Sequence, residues 1–215
     1  MDIERIIDDT KQFVKQTLQN AEGGHDWWHI YRVWHNAKKI ANEEQADRFV
    51  VELGALLHDI ADSKFHDGDE SVGPRIARKF LAEQHVPNEI TEHVVNIIEN
   101  ISFKGGKETQ NFRSIELDIV QDADRLDAIG AIGIARAFSY GGFKNRKIYD
   151  PSVPPNLNKT KEEYKRGEDP TINHFYEKLL LLKDRMNTPA GRKLAEQRHD
   201  FMCLYLEQFF FETGN

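Results

Sequence analysis

Four residues stand out for the chemistry their types allow: His29, the adjacent pair His58 and Asp59, and Asp124. The stretch "VELGALLHDIAD", residues 51–62, ends an apolar run with a histidine and an aspartate side by side. Burying an imidazole or a carboxylate without a partner is costly, so each needs a hydrogen bond, an opposite charge or a metal ion. Neighbours on a helix point about 100° apart, so His58 and Asp59 do not face the core as an isolated pair. Both can still reach one ion near the end of their helix. His29, Arg32 and Asn36 fall at i, i+3 and i+7, a polar strip beside an apolar one. Asp124 and Asp127 share a helical face with Val120. Two imidazoles and two carboxylates form a mixed N/O donor set that suits a divalent Mn, Fe, Co, Ni or Zn and leaves room for water. The same residues also suit plainer roles. His58–Asp59 would serve as a capped or salt-bridged helix end, His29 as a packing or surface histidine, and "DADRLD" as a solvated acidic face. Their spacing alone leaves both readings open.

The elements that must position these groups are helices, because apolar residues recur at helical spacing throughout. Ile3, Ile6, Ile7, Val14, Thr17 and Leu18 line a first helix, closed by Gly23 and Gly24. Ile30, Val33, Trp34, Ala37, Ile40 and Ala41 line a second, from about Trp27 to Glu44. The third spans about Asp47 to Ala61 and the fourth Val72 to His85. Asn88 caps a fifth that runs from Glu89 to about Asn100. "SIELDIVQDADRLDAIGAIGIARAF" reads as one long helix from Ser114 to Phe138, with Gly130 and Gly133 allowing close packing. Gly, Pro, Asn and Lys break the pattern between Tyr140 and Pro170, as in a long binding loop or lid. Two helices follow. Ile172, Phe175, Leu179, Leu182 and Met186 line one. The other starts at Thr188–Pro189 and is lined by Leu194, Phe201, Met202, Tyr205 and Phe209. The sequence shows no strand alternation and no repeat, so the expected fold is a single all-α domain covering residues 1–215.

Composition narrows the function. The 215 residues are 39% hydrophobic and 30% charged, as in a globular chain. A net charge of -7 opposes general nucleic-acid binding, which rewards a basic surface. The single cysteine, Cys203, sits in an apolar run and is expected in the core. "MDIERIIDDTKQ" reads as an amphipathic helix rather than a secretory signal. No apolar run approaches the roughly 18 residues that span a bilayer. The expectation is a cytoplasmic protein without membrane attachment.

The order H…HD…D, from His29 through His58–Asp59 to Asp124, resembles the signature of the HD-domain metal-dependent phosphohydrolases. Its surrounding words match too: "GHDWWHIYRV", "GALLHDIAD" and "DADRLDAIGAIGIAR". Within that family the chain looks most like the small single-domain bacterial YpgQ/YedJ group, with the motif-bearing region over about residues 20–140. The resemblance implies an all-α helical bundle that hydrolyses a phosphate ester or anhydride. It puts His29, His58, Asp59 and Asp124 in the metal-ligand positions, with Asp122 and Asp127 competing for the last. Two-metal relatives carry extra histidines between HD and the final Asp. His66, His85 and His93 lie in that interval, but Glu99–Asn100 stands where a helix-end histidine is expected. One divalent ion is therefore implied, manganese first, with Fe, Co, Ni, Zn or Mg as alternatives. Asp62 stands where related enzymes carry an acid that handles the proton.

A phosphorylated substrate needs cations. Lys64 follows the HD helix, Arg32 lies one turn from His29, and Arg125 adjoins Asp124. Lys104 in "ISFKGGK" and Lys144 and Arg146 in "GGFKNRK" belong to basic, glycine-bearing segments. Each also suits an ordinary surface or helix-pairing charge. Tyr149 and Phe143 are candidates for stacking on a base, with core or surface roles equally open. The leading expectation is a nucleoside triphosphate pyrophosphohydrolase or nucleotidase acting on a small nucleotide. The alternatives are a phosphodiesterase on a cyclic nucleotide or other phosphodiester, and a non-catalytic, metal-pinned regulatory domain.

Overall fold

The computed structural model describes residues 1–19, 24–61, 69–101, 112–157 and 169–214. Among these the regular structure is helical, in agreement with the all-α expectation. Asp62, Lys64, His66 and Lys104, named above, lie outside the described residues. The chain divides into two compact units, Met1–Asp124 and Arg125–Asn215.

The first unit contains α1 (Ile3–Thr17), α2 (Trp27–Ala41), α3 (Arg48–Leu57), α4 (Val72–Glu83), α5 (Asn88–Asn100) and most of α6 (Ile115–Asp127). Side-chain caps set the starts of α1, α2 and α3. Asp2 accepts from the Arg5 amide, Asp26 from the His29 amide, and Asp47 from the Phe49 and Val50 amides. Each cap satisfies a backbone donor that the first turn leaves without a partner. α5 differs from expectation, because Asn88 is already helical and Pro87 occupies the cap position without a side-chain bond. α3 is the central element and packs on α1, α2 and α5. Its Val51, Leu53, Ala55, Leu56 and Leu57 are fully buried, which explains why its sequence is apolar almost all round. Polar ties supplement this core. The Trp34 indole donates to Glu52 at 2.8 Å, and Gln121 on α6 donates to the Asn100 carbonyl at 3.0 Å.

α3 stops at Leu57, earlier than the expected Ala61, and α2 stops at Ala41, short of Glu44. The expected long helix over Ser114–Phe138 is in fact two, α6 and α7 (Gly130–Phe143). The cause is Gly130, whose φ of +74° lies in the left-handed region that residues with a Cβ avoid. At Gly133 an added Cβ would overlap the Ala128 carbonyl, so the close approach there is to the chain's own backbone five residues earlier rather than to a neighbouring helix.

The second unit also holds α8 (Asn173–Glu177), a 3₁₀ segment (Leu179–Arg185) and α9 (Pro189–Glu212). The single helix expected over Ile172–Met186 is thus a short α-turn followed by a 3₁₀ stretch. The cause is Lys178, whose φ of -144° interrupts the helical path. α9 starts as expected, with Thr188 accepting from the Gly191 amide at 2.9 Å and Pro189 in the first turn. It packs on α7 and the 3₁₀ segment, and its Met202 and Leu206 are buried. Phe201, expected inward, is 48% exposed because its register turns it off the buried stripe. No helix of the described residues is long and apolar enough to cross a membrane.

Candidate metal centre

The chemistry-bearing residues of the first unit meet where the start of α2, the end of α3 and the end of α6 come together. His29 lies in the first turn of α2, fixed there by the Asp26 cap on its own amide at 2.9 Å. His58 is the C-cap of α3, and Asp59 follows in the turn. The last carbonyls of a helix carry partial negative charge, so this end is a favourable neighbourhood for a cation. His58 uses one of those carbonyls directly, its Nδ1 lying 2.9 Å from the Ala55 oxygen. A carbonyl only accepts, so Nδ1 carries the proton and Nε2 is the basic nitrogen. That Nε2 is directed toward Asp124.

Asp124 Oδ1 lies 3.5 Å from His29 Nε2 and 3.9 Å from His58 Nε2. The two imidazoles are almost wholly buried, with 4% side-chain exposure each, whereas Asp124 keeps 42%. His29, His58 and Asp124 thus offer ligand atoms that all lie within 4.8 Å of one another. His29, Asp59 and His25 form a second such group, sharing His29 with the first. Ring nitrogens and carboxylate oxygens drawn from separate elements onto one point are the donor chemistry a divalent ion takes, and the His58–Ala55 bond is the outer contact that orients such a ligand. The residues fit a metal.

The alternatives for the last aspartate fall elsewhere. Asp127 is buried and paired with Arg136, and Asp122 is fully buried. Neither belongs to a His/Asp group among the described residues. Asn36, on the polar strip with His29, is buried and approaches the Ala123 carbonyl at 3.5 Å.

His25 was not foreseen. It precedes the α2 cap, and its Nδ1 hydrogen-bonds Asp59 Oδ2 across 34 positions of sequence. Its ring stands edge-on to His29 with centroids 5.9 Å apart, and His29 is edge-on to His58 at 5.4 Å. Burial pushes the Asp59 carboxyl up, but the His25 hydrogen bond and the His58, His25 and His29 rings outweigh it, leaving Asp59 below the ordinary carboxylate range. The available signal was the word "GHDWWH", which puts a second histidine four residues before His29. No local rule links either to Asp59.

The expected phosphate contacts are divided between the units. Arg32 is half-buried on α2, one turn beyond His29. Arg125 opens the second unit, where its guanidinium donates to the Arg185 carbonyl at 2.8 Å. Lys144 and Arg146 also belong there and lie over aromatic rings, Lys144 over Phe143 and Tyr140 and Arg146 over Tyr140. Phe143 is 72% exposed, while Tyr149 packs edge-on against Phe209 and Phe210.

A family model described as "HD domain" matches residues 27–129. The chain is 40% identical to Bacillus subtilis YpgQ over 201 residues, spanning 92% of this chain and 89% of that protein. Among solved structures, an HD-superfamily hydrolase from Bacillus thuringiensis superposes with a TM-score of 0.81 at 44% identity, over 99% of this chain and 98% of the other. Bacillus subtilis YpgQ crystallised in complex with ADP superposes with a TM-score of 0.78 at 36% identity, over 99% and 97%.

Proposed function

The chain belongs to the HD-domain family of metal-dependent phosphohydrolases, and on that premise we propose that it hydrolyses a phosphoanhydride bond of a nucleotide. The reaction is that of a nucleoside triphosphate pyrophosphohydrolase or a nucleotidase. The observation that carries the nucleotide is the ADP complex of YpgQ, a protein similar to this one over nearly its whole length. The proposed metal site is His29, His58, Asp59 and Asp124, holding one divalent ion, manganese first. When bound, such an ion supplies a Lewis acid that polarises phosphoryl oxygens and makes water acidic enough to ionise near neutral pH.

The protein's own residues do the rest. His29 and His58, buried and oriented, keep their nitrogens in place without reorganisation during the reaction, which is where rigid sites gain rate. Asp124, partly exposed, lies on the side open to solvent and substrate. Asp62 is proposed to take up or deliver the proton, or to orient the attacking water. Lys64, Arg32 and Lys104 are proposed to neutralise the phosphate oxygens. Phosphoryl transfer asks mainly for in-line placement and charge stabilisation. Arg125, Lys144 and Arg146 are kept as further phosphate-binding candidates, each tested by charge removal.

The test is a panel of nucleoside mono-, di- and triphosphates and cyclic nucleotides incubated with Mn²⁺-loaded protein, with phosphate and pyrophosphate quantified separately. Pyrophosphate from triphosphates, or phosphate from terminal positions, is the expected result. Turnover restricted to cyclic nucleotides would make the protein a phosphodiesterase. Complete inertness, with unfolding on metal removal, would make the ion a structural pin.

A further inference from the structure

Resting on that metal reading, we propose that His25 is a positioning residue for Asp59, whose hydrogen bond fixes one carboxylate oxygen and leaves the other for the cation. An ionised carboxylate only accepts, so the contact is an Nδ1–H of His25 donating to Oδ2 of Asp59. Among the described residues, His25 supplies the hydrogen bond that this carboxylate receives. Asp59 needs such a brace more than its neighbours do. It stands in the turn after α3, beyond the helical ladder, and keeps 20% side-chain exposure. A carboxylate on a turn can rotate away unless something holds it, and metal-ligating carboxylates are generally held by an outer hydrogen bond.

The geometry also explains why the donor comes from this position. Asp26 caps α2 through the His29 amide, so the residue just before the cap is locked to the first turn of α2. His25 therefore ties the start of α2, which carries His29, to the end of α3, which carries His58 and Asp59. The row of edge-on rings from His25 through His29 to His58 follows the same path. His25 is the outer member, with 39% side-chain exposure against 4% for His29 and His58. Its removal opens no buried cavity, and the chain should fold without it.

The test measures Mn²⁺ affinity of metal-free, full-length protein by calorimetry or chelator competition. It is paired with pulsed EPR of the Mn²⁺ complex to count coordinated imidazoles. His25→Ala should weaken binding about 10- to 100-fold, the range for losing an outer partner of a ligand. His25→Asn, which can place an amide N–H near the Nδ1 position, should recover most of that affinity. The imidazole count should be the same in wild type and His25→Ala. Wild-type affinity in His25→Ala, or Asn no better than Ala, overturns the proposal. Loss of one coordinated imidazole in His25→Ala overturns it too, because His25 is then a ligand. His58→Ala separates the two levels. If it binds Mn²⁺ like wild type, or if the wild type takes up none, the metal reading fails and this inference falls with it.

Discussion

Mn²⁺ added to the metal-free protein should raise its unfolding midpoint, and His58→Ala should abolish the rise. A ligand that binds only the folded state adds about 2.7 kcal/mol at a hundred times its Kd. A chain of 215 residues moves its midpoint by roughly 2–4 °C per kcal/mol, so the expected shift is about 5–10 °C. His58→Ala also removes the bond to the Ala55 carbonyl and truncates a side chain of 4% exposure, costing about 2 kcal/mol whether or not metal is present. The metal-free midpoint therefore falls by several degrees. Asp124→Asn is the cleaner partner variant. Its side chain is 42% exposed, so metal-free stability should stay within about 0.5 kcal/mol of wild type while the metal response disappears. Scanning fluorimetry on chelator-treated protein, with and without saturating Mn²⁺, reads all three. If His58 and Asp59 merely finish a helix, wild type shows no metal shift and only the metal-free loss in His58→Ala remains. A full shift retained in both variants would refute the ligand set outright.

Asp127→Asn should leave Mn²⁺ binding intact but destabilise by roughly 3 kcal/mol, the low end for breaking a buried ion pair, since its partner Arg136 keeps 30% exposure; urea melts beside metal titrations would show it, and lost metal binding at wild-type stability would move the last ligand to Asp127. Asp62→Asn should retain metal and slow turnover by roughly 10²-fold or more, whereas loss of metal along with activity would make Asp62 a ligand. Gly133→Ala forces a backbone shift against the Ala128 carbonyl and should cost about 1–3 kcal/mol; an unchanged denaturation midpoint would contradict the close approach. Asp150 titrates at about 2, below the ordinary 3.8, through hydrogen bonds from Lys147 and Ser152. A depressed folded value means that its contribution is present above the unfolded pKa and lost as pH falls through about 2. Carboxyl-detected NMR of Lys147→Ala should show the midpoint moving up toward 3.8.

The helical class, the cap at Thr188, and the three words carrying His29, His58–Asp59 and Asp124 are all legible along the chain, because each depends on residues within a turn or two. The residue types also admit a divalent ion, but their spacing alone suits helix ends and solvated acids equally well, and it is the order of the three words that points to a metal. What it leaves open is register and continuity. Whether Asp122, Asp124 or Asp127 faces the histidines turns on rotations of about 100° per residue, which an acidic run such as "DADRLD" does not disclose. The break at Gly130 depends on a left-handed φ that glycine permits but does not require. His25 meets Asp59 across 34 positions, and such a pairing exists only once α2 and α3 have packed. Local physical chemistry thus wrote the elements and their reactive residues into the sequence. Their convergence on one point was decided by long-range packing, because a contact between distant segments belongs to neither of them alone.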